Sequence, residues 1–448
     1  MRPDLSGSIT RATIRSPLTP LFLLTALAVG LIALMTIPRE EEPQISVPMV
    51  DMIISAPGLR AADVVEQVTE PLEEIIKAIP DVEHVYSQSR DDGALVTARF
   101  NVGTDADDAI LRVHEKIRAN LDRIPTGVPM PLVIGRGIND VPIVTLTLSP
   151  EPWTGDVWND TSLRMLAEEL QKELIKVDDV GLTSVVGGRA LEMRVEPDIH
   201  ALAAYGVPLQ TLVETVSQAA NVNPVGIARR DGESLLVQAG DRVNALSELE
   251  RLELRGADGR TVYLSDVATI RVTGAETESR VWTLDRDEEA GVFRAAPAVT
   301  VALAKRPGAN AVKVAEAILA RAEHLEGDLV PEGVRLEVTR NYGETANHKA
   351  NELLYHLGLA TVSIVILIAF AIGWREALVT LIVIPTTILL TLFASLMMGY
   401  TINRVSLFAL IFSIGILVDD AIVMIENIAR HWAMNDGRTK VEAAINAV

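Results

Sequence analysis

LFALIFSIGILVDDAIVMIEN, residues 407–427, is an apolar run that reads as a membrane-spanning helix with two adjacent carboxylates, Asp419 and Asp420, in its middle. A charged side chain near the bilayer centre costs roughly 2.5 to 3.5 kcal/mol on insertion scales, so a pair side by side implies a use. Neighbouring helical residues point about 100° apart, so the two acids cannot meet one partner squarely, yet both can face one cleft between helices. Gly415 lies one turn before Asp419, and Ser413 is also small; such residues let another helix approach closely. Glu426 and Asn427 follow two turns after Asp419 and Asp420 and extend the polar stripe.

Three further apolar runs, Leu18–Ile37, Leu357–Trp374 and Ala377–Met398, have the roughly 20 residues that a crossing helix needs. With Val405–Ile425 they predict four spans, and none of the four contains a Lys or Arg that could neutralise the acids. Arg2, Arg11, Arg15, Arg375, Arg430, Arg438 and Lys440 fall on one side of that topology, with Arg404 the exception. The positive-inside rule makes that side cytoplasmic and puts the long segment between the first two spans outside. The first run exceeds a signal-peptide core, and Ile37-Pro38-Arg39-Glu40 offers no small-residue cleavage site, so it is expected to be a retained anchor.

The 448 residues carry a net charge of -20, concentrated in that long segment, which argues against nucleic acid as a partner there. With no cysteine there is neither a disulfide framework nor a thiolate metal site. The long segment alternates strand and helix patterns. Ile45–Ser55 alternates as a strand, Ala61–Ile79 is an amphipathic helix, and Val82–Ser89 and Ala94–Val102 flank an Asp91-Asp92-Gly93 hairpin turn. A helix over about Asp105–Leu121 and a strand at Val141–Leu148 complete the split βαβ order of ferredoxin-like domains. The order starts again at Val141, with helix Ser162–Ile175, strand Leu182–Val186, a long excursion, strand Ala298–Ala304, helix Asn310–Leu325 and strand Val334–Thr339. The excursion, about Gly188–Val272, is expected to be a small α+β lobe. Thr439–Val448 has no stop signal, so the polypeptide is expected to continue beyond it.

Paired acids in an apolar helix would take up and release protons as one coupled unit, as a proton relay requires. A polar knot that merely joins helices, and an intramembrane protease dyad, are the alternatives. The dyad needs two carboxylates facing each other, which adjacent positions cannot supply. No enzyme activity, metal site or cofactor is expected. The seven histidines show no ligand spacing; His348 and His356 read as interfacial, and Met397-Met398 as packing. Arg39–Glu42 reads as a solvated exit from the membrane, and Gly308 with Asn310 as a turn before a helix.

Ile384-Pro385, Gly399-Tyr-Thr-Ile-Asn403 and Gly415-Ile-Leu-Val-Asp-Asp-Ala-Ile-Val-Met-Ile-Glu-Asn427 resemble the hallmark segment of resistance-nodulation-division (RND) efflux transporters, in particular the hydrophobe/amphiphile efflux branch. Pro57-Gly58, Gln67–Glu73, Gly103-Thr-Asp105 and Lys305–Asn310 agree, so the resemblance covers essentially the whole chain as the N-terminal half of such a protein. It implies a membrane α-helical fold with four spans plus an α+β periplasmic part, made of ferredoxin-like βαββαβ porter subdomains and an inserted docking (funnel) subdomain. The implied division is a cytoplasmic N-terminus at 1–17, transmembrane helix 1 at 18–37, porter subdomain 1 at 38–136, and porter subdomain 2 at 137–187 and 273–340. The docking subdomain occupies 188–272, a periplasmic lead-in 341–356, transmembrane helices 357–374, 377–398 and 405–428, and a cytoplasmic segment 429–448. By this likeness Asp419 and Asp420 are proton-relay acids, supported by Gly415, Glu426 and Asn427, in a bacterial inner-membrane proton antiporter exporting small hydrophobic or amphiphilic compounds. Implied partners are membrane lipid, the missing C-terminal half with the relay's basic residue, two further copies in a homotrimer, a periplasmic adaptor and an outer-membrane channel. The segment Asn221–Val237 is shorter than the intersubunit arm of the best-known multidrug members, and the stretch around Val185-Val186 lacks their pocket Phe. A truncated or split subunit acting as an interaction protein, or a protein- or lipid-export helper, are the other readings.

Overall fold

The computed structural model describes residues 5–448 apart from 42, 44–46, 155–156, 220–222, 231–232, 240–244, 257–258, 278, 287–290, 372 and 435–436. Between the first apolar helix and the remaining ones lie two α/β units of the same topology. In the first, strands Met49–Ser55, Val82–Arg90, Gly93–Phe100 and Leu132–Arg136 form an antiparallel sheet in the order second, third, first, fourth. The alternating residues Val50, Met52, Ile54, Val96, Ala98 and Phe100 point to one face. There they meet Val64, Val68, Leu72 and Ile76 of one helix and Ala109, Val113 and Ile117 of another, the two periodicities interlocking as a single core.

One strand assignment changes. The first sheet closes with Leu132–Arg136, while Val144–Pro150, which the sequence pattern assigned to it, lies in the second sheet. The true closing strand is five residues long and carries Gly135, where a Cβ would fall 2.4 Å from the Ile110 side chain. Absence of a side chain there lets the helix Ala106–Arg118 pack against the strand. The expected helix from Ala61 contains one π turn, Val65–Thr69, before Glu70–Lys77. Pro71 has no N–H to give and crowds the carbonyl four residues back, which a wider turn accommodates.

In the second unit, Val180–Gly187, Phe293–Lys305, Val144–Pro150 and Val334–Asn341 lie side by side in the same order. Helices Asp160–Leu174 and Ala311–Asp328 cover one face through Leu163, Leu170, Leu174, Val314 and Ile318. Asn310 caps the second of these by accepting from the amides of Val312 and Lys313, after a turn at Gly308 with φ +76°. The excursion leaves and returns through paired strands Leu191–Pro197 and Ala268–Gly274 and has its own core of Leu202, Leu212, Leu249, Leu254, Leu264 and Val267.

Among the described residues, three helices are long and apolar enough to cross a membrane: Leu18–Thr36, Tyr342–Ala371 and Trp374–Met397. A fourth long helix, Arg404–Ala433, carries the two aspartates. Tyr342–Ala371 grows directly out of the last strand of the second unit, so the segment preceding the apolar run is itself helical. The first helix packs on the third at Gly30, where a Cβ would sit 2.4 Å from Leu389 Cβ and 2.7 Å from its backbone carbonyl carbon. Gly30→Leu is therefore expected to destabilise the helical part by about 1 to 3 kcal/mol through overpacking, read as a lower unfolding midpoint in detergent. An unchanged midpoint would contradict this packing.

Candidate functional site

The helix Arg404–Ala433 starts at a capping box: Asn403 Oδ1 accepts from the amides of Val405 and Ser406, and Ser406 Oγ accepts from the Asn403 amide. Asn403 is buried, and its cap couples the helix to the turn that precedes it. Leu407, Leu410, Ile411 and Ile422 pack into a cluster with Ile37, Leu357, Ile384 and Ile388 of the other helices. At 100° per residue these four side chains share one face, with Asp419 about 120° and Asp420 about 140° to either side of its centre. Both aspartates are exposed, and Phe412, Ile416 and Val423, which lie between them on the far side, are 71%, 60% and 55% exposed.

The packed face thus belongs to this chain's own helices, and the acids sit on the other. Among the described residues no ion pair or hydrogen bond joins either carboxylate to another side chain. Gly415, expected to mark a close helix approach, has open space: nothing lies within 4 Å of where its Cβ would be. Glu426 is exposed on the same side. Asn427 does something else, as its amide donates to the Ala447 carbonyl oxygen at 2.5 Å and its Oδ1 accepts from Arg430 at 2.7 Å. It ties the helix to the following one, Lys440–Ala447, which in turn packs on the N-terminal helix Leu5–Thr13.

Two features escaped the sequence reading. Arg39–Glu42 is not a solvated exit: Glu40 is buried and pairs with Lys305, while Glu42 lies outside the described residues. A stretch of consecutive charges gives no hint of a partner so far along the chain. The second is a cleft of about 620 Å³ in the second α/β unit, lined by Trp158, Trp282, Asp285, Arg286, Arg294 and Pro297 among others. Asp285 accepts two 3.0 Å bonds from Arg335, and this carboxylate raises the guanidinium pKa further above its ordinary value. With five tryptophans in the chain, two on one cleft is the signal that composition could have offered.

Residues 9–448 match the model of the AcrB/AcrD/AcrF family. The chain is 28% identical over 440 residues to multidrug resistance protein MdtC of Pantoea ananatis, a match covering 97% of this chain and 41% of that protein. MdtC of Serratia proteamaculans is 27% identical over 437 residues, 96% of this chain and 41% of that protein, and the Salmonella newport protein of the same name is 28% identical, covering 93% and 39%. The chain spans about two-fifths of the length of these relatives. With its apolar helices and repeated α/β units, and with that match over nearly its full length, the chain belongs to the AcrB/AcrD/AcrF family of RND efflux transporters, which are not enzymes.

Proposed function

We propose that this chain is the N-terminal part of an inner-membrane, proton-driven antiporter that exports hydrophobic or amphiphilic compounds, with Asp419 and Asp420 binding the driving protons. The observation that carries this is the placement of two adjacent carboxylates at the middle of a thirty-residue helix, on a face that the chain's other helices leave open. Protonation of one or both changes the charge on that face, and a helix position that depends on charge state converts proton binding into motion.

The helix Arg404–Ala433 is read as the fourth span. In support, the exit of the first helix, Pro38–Glu41, hydrogen-bonds the turn just before Asn403, while the segments at the opposite ends, Leu5–Thr13 and Lys440–Ala447, pack on each other. The first and last of four long helices therefore run antiparallel, as an even number of crossings requires. The arginine pattern puts Leu5–Thr13 on the cytoplasmic side and the α/β units in the periplasm. The two units, each with strands in ferredoxin-like order, are assigned as porter subdomains, 38–136 and 137–187 with 273–340, and the excursion 188–272 as the docking subdomain. The Trp158 and Trp282 cleft combines aromatic surface with charges of both signs, chemistry that suits an amphiphilic cargo. A homotrimer working with a periplasmic adaptor and an outer-membrane channel completes the assignment.

Full-length protein in sealed vesicles is expected to move a lipophilic dye against its gradient while a pH difference is imposed, and to stop when a protonophore collapses it. Dye pumping that continues at equal pH on both sides overturns the reading.

A further inference from the structure

Among the described residues, Glu40 and Lys305 are the two charged residues that are buried, with side chains 4% and 8% exposed and Lys305 Nζ 2.7 Å from Glu40 Oε1. Their surroundings join three parts of the molecule. Glu40 follows the first apolar helix, and its Oε2 accepts a 3.2 Å bond from Thr401 Oγ1 in the turn between the third and fourth helices. The same turn is held by backbone bonds, Glu40 N–H to the Ile402 carbonyl at 2.9 Å and Ile402 N–H to the Pro38 carbonyl at 2.9 Å. Arg39 Nη1 donates to Asn347 Oδ1 at 2.9 Å and Asn351 Oδ1 at 3.2 Å on the second long helix. Lys305 ends the strand Phe293–Lys305, which is hydrogen-bonded on both sides within the second sheet.

We infer that the Glu40–Lys305 pair is a strut that transmits movement of the aspartate-bearing helix to the second α/β unit, and that Glu40, Lys305 and Arg39 are positioning residues for transport. The route is short. Asn403, two residues beyond Thr401, caps the helix that carries Asp419 and Asp420, so any shift of that helix moves the turn on which Glu40 is fastened. A buried pair of opposite charges resists separation, because parting them would leave each charge uncompensated in a dry environment. The turn and the strand end therefore move together. A pair of this kind confers little net stability over an apolar substitute, and its value lies in holding register.

The inference rests on the proposed proton-driven function, and its test separates the two. In full-length protein at pH 7, neutralising the acids with Asp419→Asn and Asp420→Asn mimics their protonated state. The expected result is a change in amide hydrogen exchange over residues 297–305 of roughly threefold to thirtyfold, the span of ordinary coupling energies. On a Lys305→Met background the same change is expected to vanish, and the charge swap Glu40→Lys with Lys305→Glu to restore it, which a general loss of folding would not allow. An undiminished response in Lys305→Met, no response in the protein that keeps the pair, or a charge swap that stays silent while the exchange pattern elsewhere is native, each overturns the strut. The exchange measurement needs no transport, so the dye experiment can fail or succeed independently of it.

Discussion

Asparagine in place of Asp419 or of Asp420 in the full-length protein is expected to cut pH-gradient-driven export by about a hundredfold or more, the scale of losing an essential proton-transfer group. Asparagine keeps the shape of aspartate and takes no proton, so the helix stays in one charge state whatever the gradient. The amount of protein in the membrane should not fall, since removing a charge from an apolar helix lowers its insertion cost. Initial rates of dye export, normalised to protein in the vesicles, read the effect. Both side chains are exposed, and the packed face of the helix is made by Leu407, Leu410, Ile411 and Ile422, so neither substitution disturbs the helix packing described above. Full export rates in both variants would sink the relay assignment. Asp419→Glu and Asp420→Glu keep an acid but move it by a methylene, and are expected to fall between wild type and asparagine.

The parts of this molecule that were legible in the sequence are those set by local periodicity. The period of two over Val50, Met52 and Ile54, the helical spacing of Val64, Val68 and Leu72, and the Asp92-Gly93 turn, with Asp92 at φ +64°, each reflect residues interacting with near neighbours. Leu132–Arg136 was missed because its place is decided by the strand Met49–Ser55 beside it and a helix packing over Gly135. The Glu40–Lys305 pair was missed for the same reason: a run of acids reads as solvated until the lysine that buries one of them is placed by the fold. The two aspartates stood out because their cost is set by the apolar sequence around them. Their orientation did not, since a helix apolar on nearly every side has no hydrophobic face for periodicity to find. Packing by Leu407 and Ile411 supplies that direction, and it turns the acids away from the chain's own helices.

That orientation carries the second large expectation, a basic residue from outside this chain seated between or beside the two acids. None of the apolar runs 18–37, 357–374, 377–398 and 405–425 contains a lysine or arginine, and an ionised carboxylate facing lipid without a partner is costly, so the open face is expected to be covered in the working protein. Gly415, with open space at its Cβ position, marks where a covering helix can come close, and exposed Phe412, Ile416 and Val423 give it apolar surface to pack on. Replacing the partner lysine or arginine with methionine is expected to stop export to the same degree as Asp420→Asn. Combining the two should cost no more than either alone, because groups that act as one unit are non-additive. Gly415→Leu should leave this chain's own helix packing intact and yet block assembly with the covering helix, measured as loss of export with unchanged membrane levels. A scan of every lysine and arginine in the remaining membrane segments would find no such residue, or would find losses that multiply with Asp420→Asn, if the acids work without a cation. In that case the open face would have to be covered by groups that hold the acids protonated, and export would depend on one aspartate independently of the other.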